Sequence, residues 1–444
     1  MSTQRTEPAR GTRDFLPEDV RRREYVVGVI RRVYERYGFE PLETPAVENI
    51  ETLLGKYGEE GNQLVFKILK RGEHEASGQA DLALRYDLTV PLARVMAHHR
   101  AKLPRLFKRY QIQPVWRADR PARGRFREFY QCDVDSLGSV SPLVEAELCA
   151  AVSDALTGLG FDDFVVRLNH RALLTSLLEA AGIAREHHSG ALVAIDKLDK
   201  IGPDGVRTDM EARGIEGKSA ARLLEVFETA RAGGTRLGLD VGEAGAAAWQ
   251  NVAAILALLE GTSASGRVRV DPGLARGLSY YTGAIMEIAV PDLAGSLGGG
   301  GRYDDLVGMF SGQSIPACGF SLGLERILVV MAERGMFPPS LASAPADVMV
   351  AVFDAADAPH AVRLAARLRD EGLRVLVYPD ADRIGKQIKY ADSLGISVVA
   401  ILGQTEIEAG TVTVKNLVAQ TQETVPHEAA GAAILAGVKQ GQRG

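Results

Sequence analysis

FKRYQIQPVWRADRPARGRFREFYQCDVD, residues Phe107 to Asp135, reads as a strand, a loop and a returning strand. The first run, Phe107 to Trp116, mixes aromatic and β-branched residues with polar ones. The second, Phe126 to Val134, alternates large and polar side chains, as a half-buried antiparallel strand does. Between them, Ala118 to Gly124 carries charge, Pro121 and Gly124, which is turn chemistry. From Arg105 to Arg127 there are eight basic residues and one acidic residue, Asp119. That local excess points to a polyphosphate, a nucleic acid or both. Strand side chains alternate, so Arg125, Arg127, Phe129 and Gln131 are expected on one face, with Glu128 and Tyr130 on the other. Such a face offers arginine forks to phosphate and a ring to a base. A solvated, arginine-rich hairpin is the competing reading of this stretch taken alone.

The rest of the chain bounds the choice. At 444 residues it is too long for one ordinary core, so two or three domains are expected. A hydrophobic content of 46% with 25% charged residues is that of a soluble globular protein. The net charge of −5 confines any nucleic-acid contact to local patches. Cys132, Cys149 and Cys318 are scattered, with no CxxC pair, which favours a reducing cytoplasm and three core thiols. The polar N-terminus lacks an apolar signal core, and no window of about 18 uninterrupted apolar residues suggests a membrane span.

In chain order, Gly11 to Asp19 reads as an extended arm and a turn, followed by a helix opened by Pro17 and stopped by Gly38. Phe39 to Val47 holds two prolines and is an edge or interface strand. Gln63 to Lys70 and Leu82 to Tyr86 read as strands, and Asp87 or Thr89 as the cap of a helix with Pro91 near its first turn. Pro142 to Leu159 is an amphipathic helix and Val165 to Leu168 a short strand. From Arg171 to Thr262 the texture is helical, without convincing strands. Strand texture returns at Val268 to Val270 and at Ala284 to Val290. The four glycines before Arg302, Tyr303 and Asp304 read as a loop allowing close backbone approach to a ligand. Arg326 sits early in an apolar helix and needs a partner, either an anionic ligand or an internal salt bridge. Pro338, Pro339 and Pro345 mark a linker, beyond which strands and helices alternate as in a separate α/β domain with a mostly parallel sheet. No P-loop or dinucleotide glycine signature appears there, so a binding module is expected.

Taken together, these stretches resemble the histidyl-tRNA synthetase family, within the class II aminoacyl-tRNA synthetases. GFEPLETPAVEN resembles the first class motif, with its proline at Pro45; the opening stretch resembles the second and GFSLGLERIL the third. RGLSYYTG, GGGGRYDDLVGMF and RYDLT are similar to the family's histidine-specific segments, and the likeness runs from Gly11 to about Val414. It implies an α+β fold with a class II catalytic core on an antiparallel sheet over residues 1–340. A helical insertion is implied at 171–262, and a C-terminal α/β anticodon-binding domain at 346–440.

The resemblance also implies roles. Arg117, Arg125, Phe129 and Arg326 would bind ATP: Arg117 at the α-phosphate, Arg326 at the γ-phosphate, Phe129 on adenine. Arg276 would stabilise the pentavalent phosphorus and, with Arg117, would be catalytic. Histidine would lie against Asp87, Leu88, Thr89, Gln131, Asp135, Arg276, Tyr280 and Tyr281, with Asp135 and Tyr281 reading the imidazole. Glycines 299–301 and Arg302 would line its pocket. Implied partners are L-histidine, ATP with Mg²⁺, the histidine tRNA and a second copy of the chain meeting around Pro45; no protein-bound metal and no membrane is implied. The insertion would meet the tRNA acceptor arm. Ser279 departs from the family pattern, which has an acid there, and a weaker hold on Arg276 would follow. A regulatory paralogue that activates a phosphoribosyltransferase tends to lose the histidine segment and the C-terminal domain, both present here. A prolyl- or threonyl-type enzyme would lack RGLSYYTG and GGRYDDLVG, and a non-catalytic tRNA-binding protein is the remaining alternative.

Overall fold

Along Glu128–Leu137, Cys132 and Val134 are fully buried on one side, while Gln131, Asp133 and Asp135 point to the other. In the structure, a computed structural model that describes residues 6–72, 77–231, 239–275, 280–342 and 344–441, this strand is the third of eight in one sheet. The chain forms two compact units, residues 1–337 and 338–444.

The strands of the first unit are β1 Glu40–Pro41, β2 Val47–Asn49, β3 Lys67–Leu69, β4 Ala80–Leu84, β5 Phe107–Trp116 and β6 Glu128–Leu137. They continue as β7 Val165–His170, β8 Val268–Val270, β9 Ala284–Ala289, β10 Ser296–Arg302 and β11 Ala317–Gly323. The main sheet runs β1-β5-β6-β11-β10-β9-β7-β8, and β2-β4-β3 form a small second sheet. The main sheet is antiparallel except at its edges, where β1 joins β5 and β8 joins β7 in parallel. Its apolar face carries Cys132, Val134, Phe320, Leu322, Met286 and Ile288. These pack against Val26 and Ile30 of helix Pro17–Arg36, Leu148 and Val152 of helix Leu143–Gly158, and Ile327 and Val330 of helix Leu324–Glu333. Each such side chain, fully buried, contributes about 1.5–3 kcal/mol. That burial offsets the cost of the polar opposite face.

Local chemistry accounts for the element ends. Pro17 opens the first helix, Glu18 and Asp19 lie in its first turn, and Gly38 follows its end at φ 74°. The returning strand of the hairpin starts at Glu128 and runs to Leu137, later than the alternation suggests. Ala122 and Arg125 exchange two backbone hydrogen bonds in a tight turn, and the Arg127 amide donates to the Gly11 carbonyl at 2.7 Å. Arg125 and Arg127 therefore belong to the loop and share no strand face with Phe129 and Gln131.

The glycine run is also not a loop. It is β10, hydrogen-bonded on both sides within the sheet. Neighbouring chains crowd it: a Cβ at Gly298 would lie 2.4 Å from the Ser321 carbonyl oxygen, and one at Gly300 would lie 2.2 Å from that of Gly319. Glycine is thus demanded by strand packing here as well as by any ligand.

The insertion folds as helices Arg171–Ala180, His188–Ile195, Leu198–Ala212, Gly217–Arg231 and Gly242–Leu258. They enclose a core of their own around Leu177, Ile195, Met210, Leu223 and Phe227. The last helix spans two cores. Ala248 belongs to that of the insertion, whereas Val252 and Ile255 belong to that of the main sheet.

The second unit contains β12 Val348–Val352, β13 Val375–Val377, β14 Val398–Leu402, β15 Thr411–Asn416 and β16 Thr421–Pro426, ordered β13-β12-β14-β15-β16. The first three are parallel and the last two pairings antiparallel. Strand β16 shows no apolar alternation, since its residues are almost all exposed, so the sequence carries no signal for it. Among the described residues no helix is long and apolar enough to cross a membrane.

Arg302 is held inside the first unit by Glu145, with Nε at 2.6 Å and Nη2 at 2.8 Å from the two carboxylate oxygens. Glu145 is fully buried, so Arg302→Ala leaves an uncompensated charge in the core. The expected loss is about 3–5 kcal/mol of stability, read from urea unfolding; a variant within 1 kcal/mol of the parent, roughly the weight of an exposed pair, contradicts this.

Candidate functional site

The polar face of the sheet floors a cavity of about 410 Å³. Strand register explains its composition. Gln131 is paired with Gly323, Asp133 with Ser321 and Asp135 with Gly319, and Ser321 in turn with Gly299. Opposite residues of antiparallel strands share a face, so these groups project together. The wall is completed by Phe129 from β6, Glu287 from β9, Arg125 and Phe126 from the hairpin loop, and Tyr280 and Tyr281.

Three arginines reach this cavity. Arg117 leaves the end of β5; its Nε donates to the Tyr86 carbonyl at 3.0 Å. Its guanidinium lies over the Tyr86 ring at 4.3 Å and near the Phe129 ring at 5.2 Å. Arg326 stands in the first turn of helix Leu324–Glu333 and donates to the Ser296 carbonyl. Gly124 packs so closely on it that a Cβ would lie 3.1 Å from Arg326 Cγ. Arg125 is exposed at the rim, whereas Arg127 turns away and donates from Nε to the Asp119 carbonyl at 3.1 Å.

The acidic part of the wall is built around Asp87. It is 1% exposed and accepts hydrogen bonds from Tyr57 Oη, Tyr280 Oη and the Val90 amide, each at 3.0 Å. The N-cap position of helix Thr89–His98 is Leu88 rather than Asp87 or Thr89, but the Asp87 carboxylate, one residue earlier, takes the amide of Val90 in the first turn and faces the cavity at once. Burial raises its pKa, and the amide, Arg117 and the two tyrosines oppose that shift. Gln131 Nε2 donates to Ser321 Oγ at 2.9 Å, and Gln131 Oε1 is buried without a hydrogen-bond partner among the described residues.

Of the residues expected here, Arg117, Arg125, Phe129, Gln131, Asp87, Thr89, Tyr280, Tyr281 and Arg326 line the cavity. Leu88 and Asp135 stand behind the wall. Leu88 is fully buried and its carbonyl accepts from Arg109 Nη2 at 3.3 Å. Asp135 lies across Gly319, accepts from Tyr303 Oη, and has Arg109 Nη2 at 2.8 Å, an ion-pair separation without hydrogen-bond alignment. Burial raises the pKa of both Asp133 and Asp135, and the fully buried Arg109 opposes it. Arg302 is engaged with Glu145 rather than lining the cavity. Arg276 and Ser279 lie outside the described residues, although Leu274 and Tyr280 on either side of that segment both line the cavity.

Sequence reading missed Arg109, Tyr57, Ser321, Glu287 and Glu325. Only Glu287 carries a local signal, as a lone charge in the apolar run AIMEIAV. Glu325 is 2% exposed; its Oε2 accepts from the Tyr130 amide at 3.0 Å and its Oε1 has no hydrogen-bond partner among the described residues. Burial pushes its carboxyl up to about 7. Among the described residues, no three His, Cys, Asp or Glu side chains are grouped as for a metal ion.

A sequence profile described as histidyl-tRNA synthetase matches residues 11–327, and one described as anticodon binding domain matches residues 347–436. A histidine–tRNA ligase of Gloeobacter violaceus is 42% identical over 452 aligned positions, covering 95% of this chain and 96% of the relative. Another from Christiangramia forsetii is 39% identical, covering 92% and 94%. The crystal structure of histidyl-tRNA synthetase from Nostoc sp. PCC 7120 superposes with a TM-score of 0.78 at 30% identity, over 98% of this chain and 99% of that one.

The Glu325 carboxyl gives a pH test. Between pH 4.5 and about 7 the folded chain keeps a proton that the unfolded chain has lost, so stability falls as pH rises through that window. Glu325→Gln removes this contribution. The difference in unfolding free energy between variant and parent should change by about 2–3 kcal/mol in favour of the variant from pH 4.5 to 8. A pH-independent difference in urea titrations rules the assignment out.

Proposed function

The chain belongs to the histidyl-tRNA synthetase family, and from that premise we infer how its cavity carries out the histidine–tRNA ligase reaction. The enzyme activates L-histidine with ATP and transfers it to tRNA. The observation that carries the site assignment is one cavity walled by Arg117, Arg125 and Arg326 together with the buried Asp87, Gln131 and two tyrosines. Guanidinium forks match phosphate oxygens, and a buried carboxylate with hydroxyl and amide neighbours matches an α-ammonium group.

Arg117 holds the α-phosphate, Arg326 and Arg125 the distal phosphates, and Phe129 stacks on adenine. Asp87, Thr89 and Gln131 take the histidine amino group. Tyr281 and Tyr280 face the imidazole, with the acids Asp133 and Asp135 one layer beneath. Imidazole has one donor and one acceptor nitrogen, so a pocket that pairs both rejects apolar isosteres by leaving polar groups unpaired. The histidine carboxylate is itself the nucleophile. It attacks the α-phosphorus and pyrophosphate departs, which leaves histidyl-adenylate. No general base is needed for that step; alignment and charge neutralisation by fixed guanidiniums lower its barrier. In the second step the terminal ribose hydroxyl of the histidine tRNA attacks the adenylate carbonyl and AMP leaves.

Glu287 and Glu325 are acidic wall residues, and the unpartnered Glu325 Oε1 fits a cation that travels with the triphosphate. Mg²⁺ held there would neutralise phosphate charge. The reading extends to the unit at 338–444 as the anticodon reader, and to the insertion at the acceptor arm. It also includes a homodimer meeting around Pro45, where β1 lies at the sheet edge and Val47 is 39% exposed. A cytoplasmic location accords with three buried free cysteines.

Histidine-dependent ATP–pyrophosphate exchange tests the assignment. Arg117→Ala should lower kcat/KM for exchange by roughly 10²- to 10³-fold. Arg276→Ala should abolish adenylate formation while histidine binding, followed by calorimetry, survives. Near-parental exchange by either variant, or exchange with prolyl or threonyl substrates instead, refutes it.

A further inference from the structure

We propose that the arm Gly11–Phe15 is a strap that sets the hairpin loop over the nucleotide subsite, with Arg13 as its positioning residue. This rests on the assignment of Arg117, Phe129 and Arg326 to ATP. The loop between β5 and β6 leaves the sheet at the hydrogen bond from the Arg117 amide to the Arg127 carbonyl, at 2.9 Å. Beyond that rung the ladder no longer determines where Phe126 and Arg125 stand, yet both line the cavity. Tertiary contacts must place them.

On one side the loop is tied to helix Leu324–Glu333, where Arg123 Nε donates to Glu333 at 3.0 Å. On the other side it is tied to the arm. The Arg127 amide donates to the Gly11 carbonyl at 2.7 Å. Gly11 adopts φ +87°, and a Cβ there would lie 2.8 Å from Arg127 Cγ and 3.0 Å from Pro121 Cγ. Only glycine permits both the backbone conformation and the approach.

Side chains extend the tie. Arg13 lies over the Phe15 ring and the Phe126 ring, at 4.4 Å from each centroid. Arg23, on helix Pro17–Arg36, lies over Phe15 at 4.6 Å and over Tyr130 at 5.0 Å. Tyr130, Arg23, Phe15, Arg13 and Phe126 thus form one alternating stack of rings and guanidiniums. It runs from strand β6 through the arm to a ring in the cavity wall. All five side chains are half-buried, where cation–π attraction is stronger than at an open surface. The Tyr130 amide donates to Glu325 Oε2 at 3.0 Å, which places the stack beside the acidic wall as well.

Among the described residues no hydrogen bond or cation–ring contact joins the arm Gly11–Phe15 to Asp87, Gln131 or the tyrosine pair, so the strap acts on the nucleotide and leaves histidine contacts alone. Exchange kinetics on the full chain test it. Arg13→Ala should raise KM for ATP roughly tenfold, from loss of two ring contacts, with KM for histidine within about twofold of the parent. Arg13→Lys, which keeps a cation between the rings, should recover much of the loss. Gly11→Ala should reproduce the ATP defect without any change of charge. An unchanged KM for ATP in both Arg13→Ala and Gly11→Ala overturns the strap, and so does a parallel rise in both KM values. Phe129→Ala separates the two readings: if it impairs ATP use while the arm variants do not, the nucleotide subsite stands and the strap falls. Absence of histidine-dependent exchange by the unsubstituted chain overturns both.

Discussion

The pleat of β6 is the constraint on which the first unit depends. Because successive side chains of a strand point to opposite faces, one sequence, Phe129 to Asp135, serves two masters. Cys132 and Val134 enter a core closed by three helices, and Phe129 and Gln131 reach a cavity. A slip of one residue against β11 would drive Asp133 and Asp135 into the helices and Val134 into the cavity. The register is held from both sides. Asp135 lies across Gly319, where a Cβ would fall 1.8 Å from its Oδ1, so only glycine can stand opposite it.

The polar face is costly. Arg109, Asp133 and Asp135 are nearly or fully buried, and such groups are tolerated only when paired. The acids outnumber the single guanidinium, and burial raises their pKa values against its opposing charge. Asp87 adds a third buried acid, held by two phenols and an amide. A face built for stability alone would be apolar. On the proposed assignment, this face receives an ammonium group and a nitrogen ring, which calls for acids and hydroxyls close to the surface and ordered before the ligand arrives. The apolar face, with its continuous core, carries the stability that this arrangement gives up.

Glycine has a related role in β10. Its run of four gives the floor beside the cavity a backbone surface with no side chains, because the adjacent strands leave no room for them. Arg302 ends the run and turns to Glu145, so a residue that the family likeness placed in the pocket lining is spent on the core. Composition alone could not separate these outcomes, since both uses call for an arginine after small residues.

Much was legible in the chain itself. The hairpin strand Phe107–Trp116, the first helix, the helical insertion and the second unit's parallel strands follow from periodicity, proline and glycine. The cavity residues Arg117, Phe129, Gln131, Asp87 and Arg326 were picked out by the family likeness rather than by any pattern of spacing, and all five line the cavity. What tertiary structure alone decided are the contacts between residues far apart in sequence. Arg109 meets Asp135, Tyr57 meets Asp87, Arg302 meets Glu145, and Arg13 meets Phe126. The physical reason is that local patterns fix which face a side chain takes, while its partner on that face is chosen by strand order and register, which are not local properties of the chain.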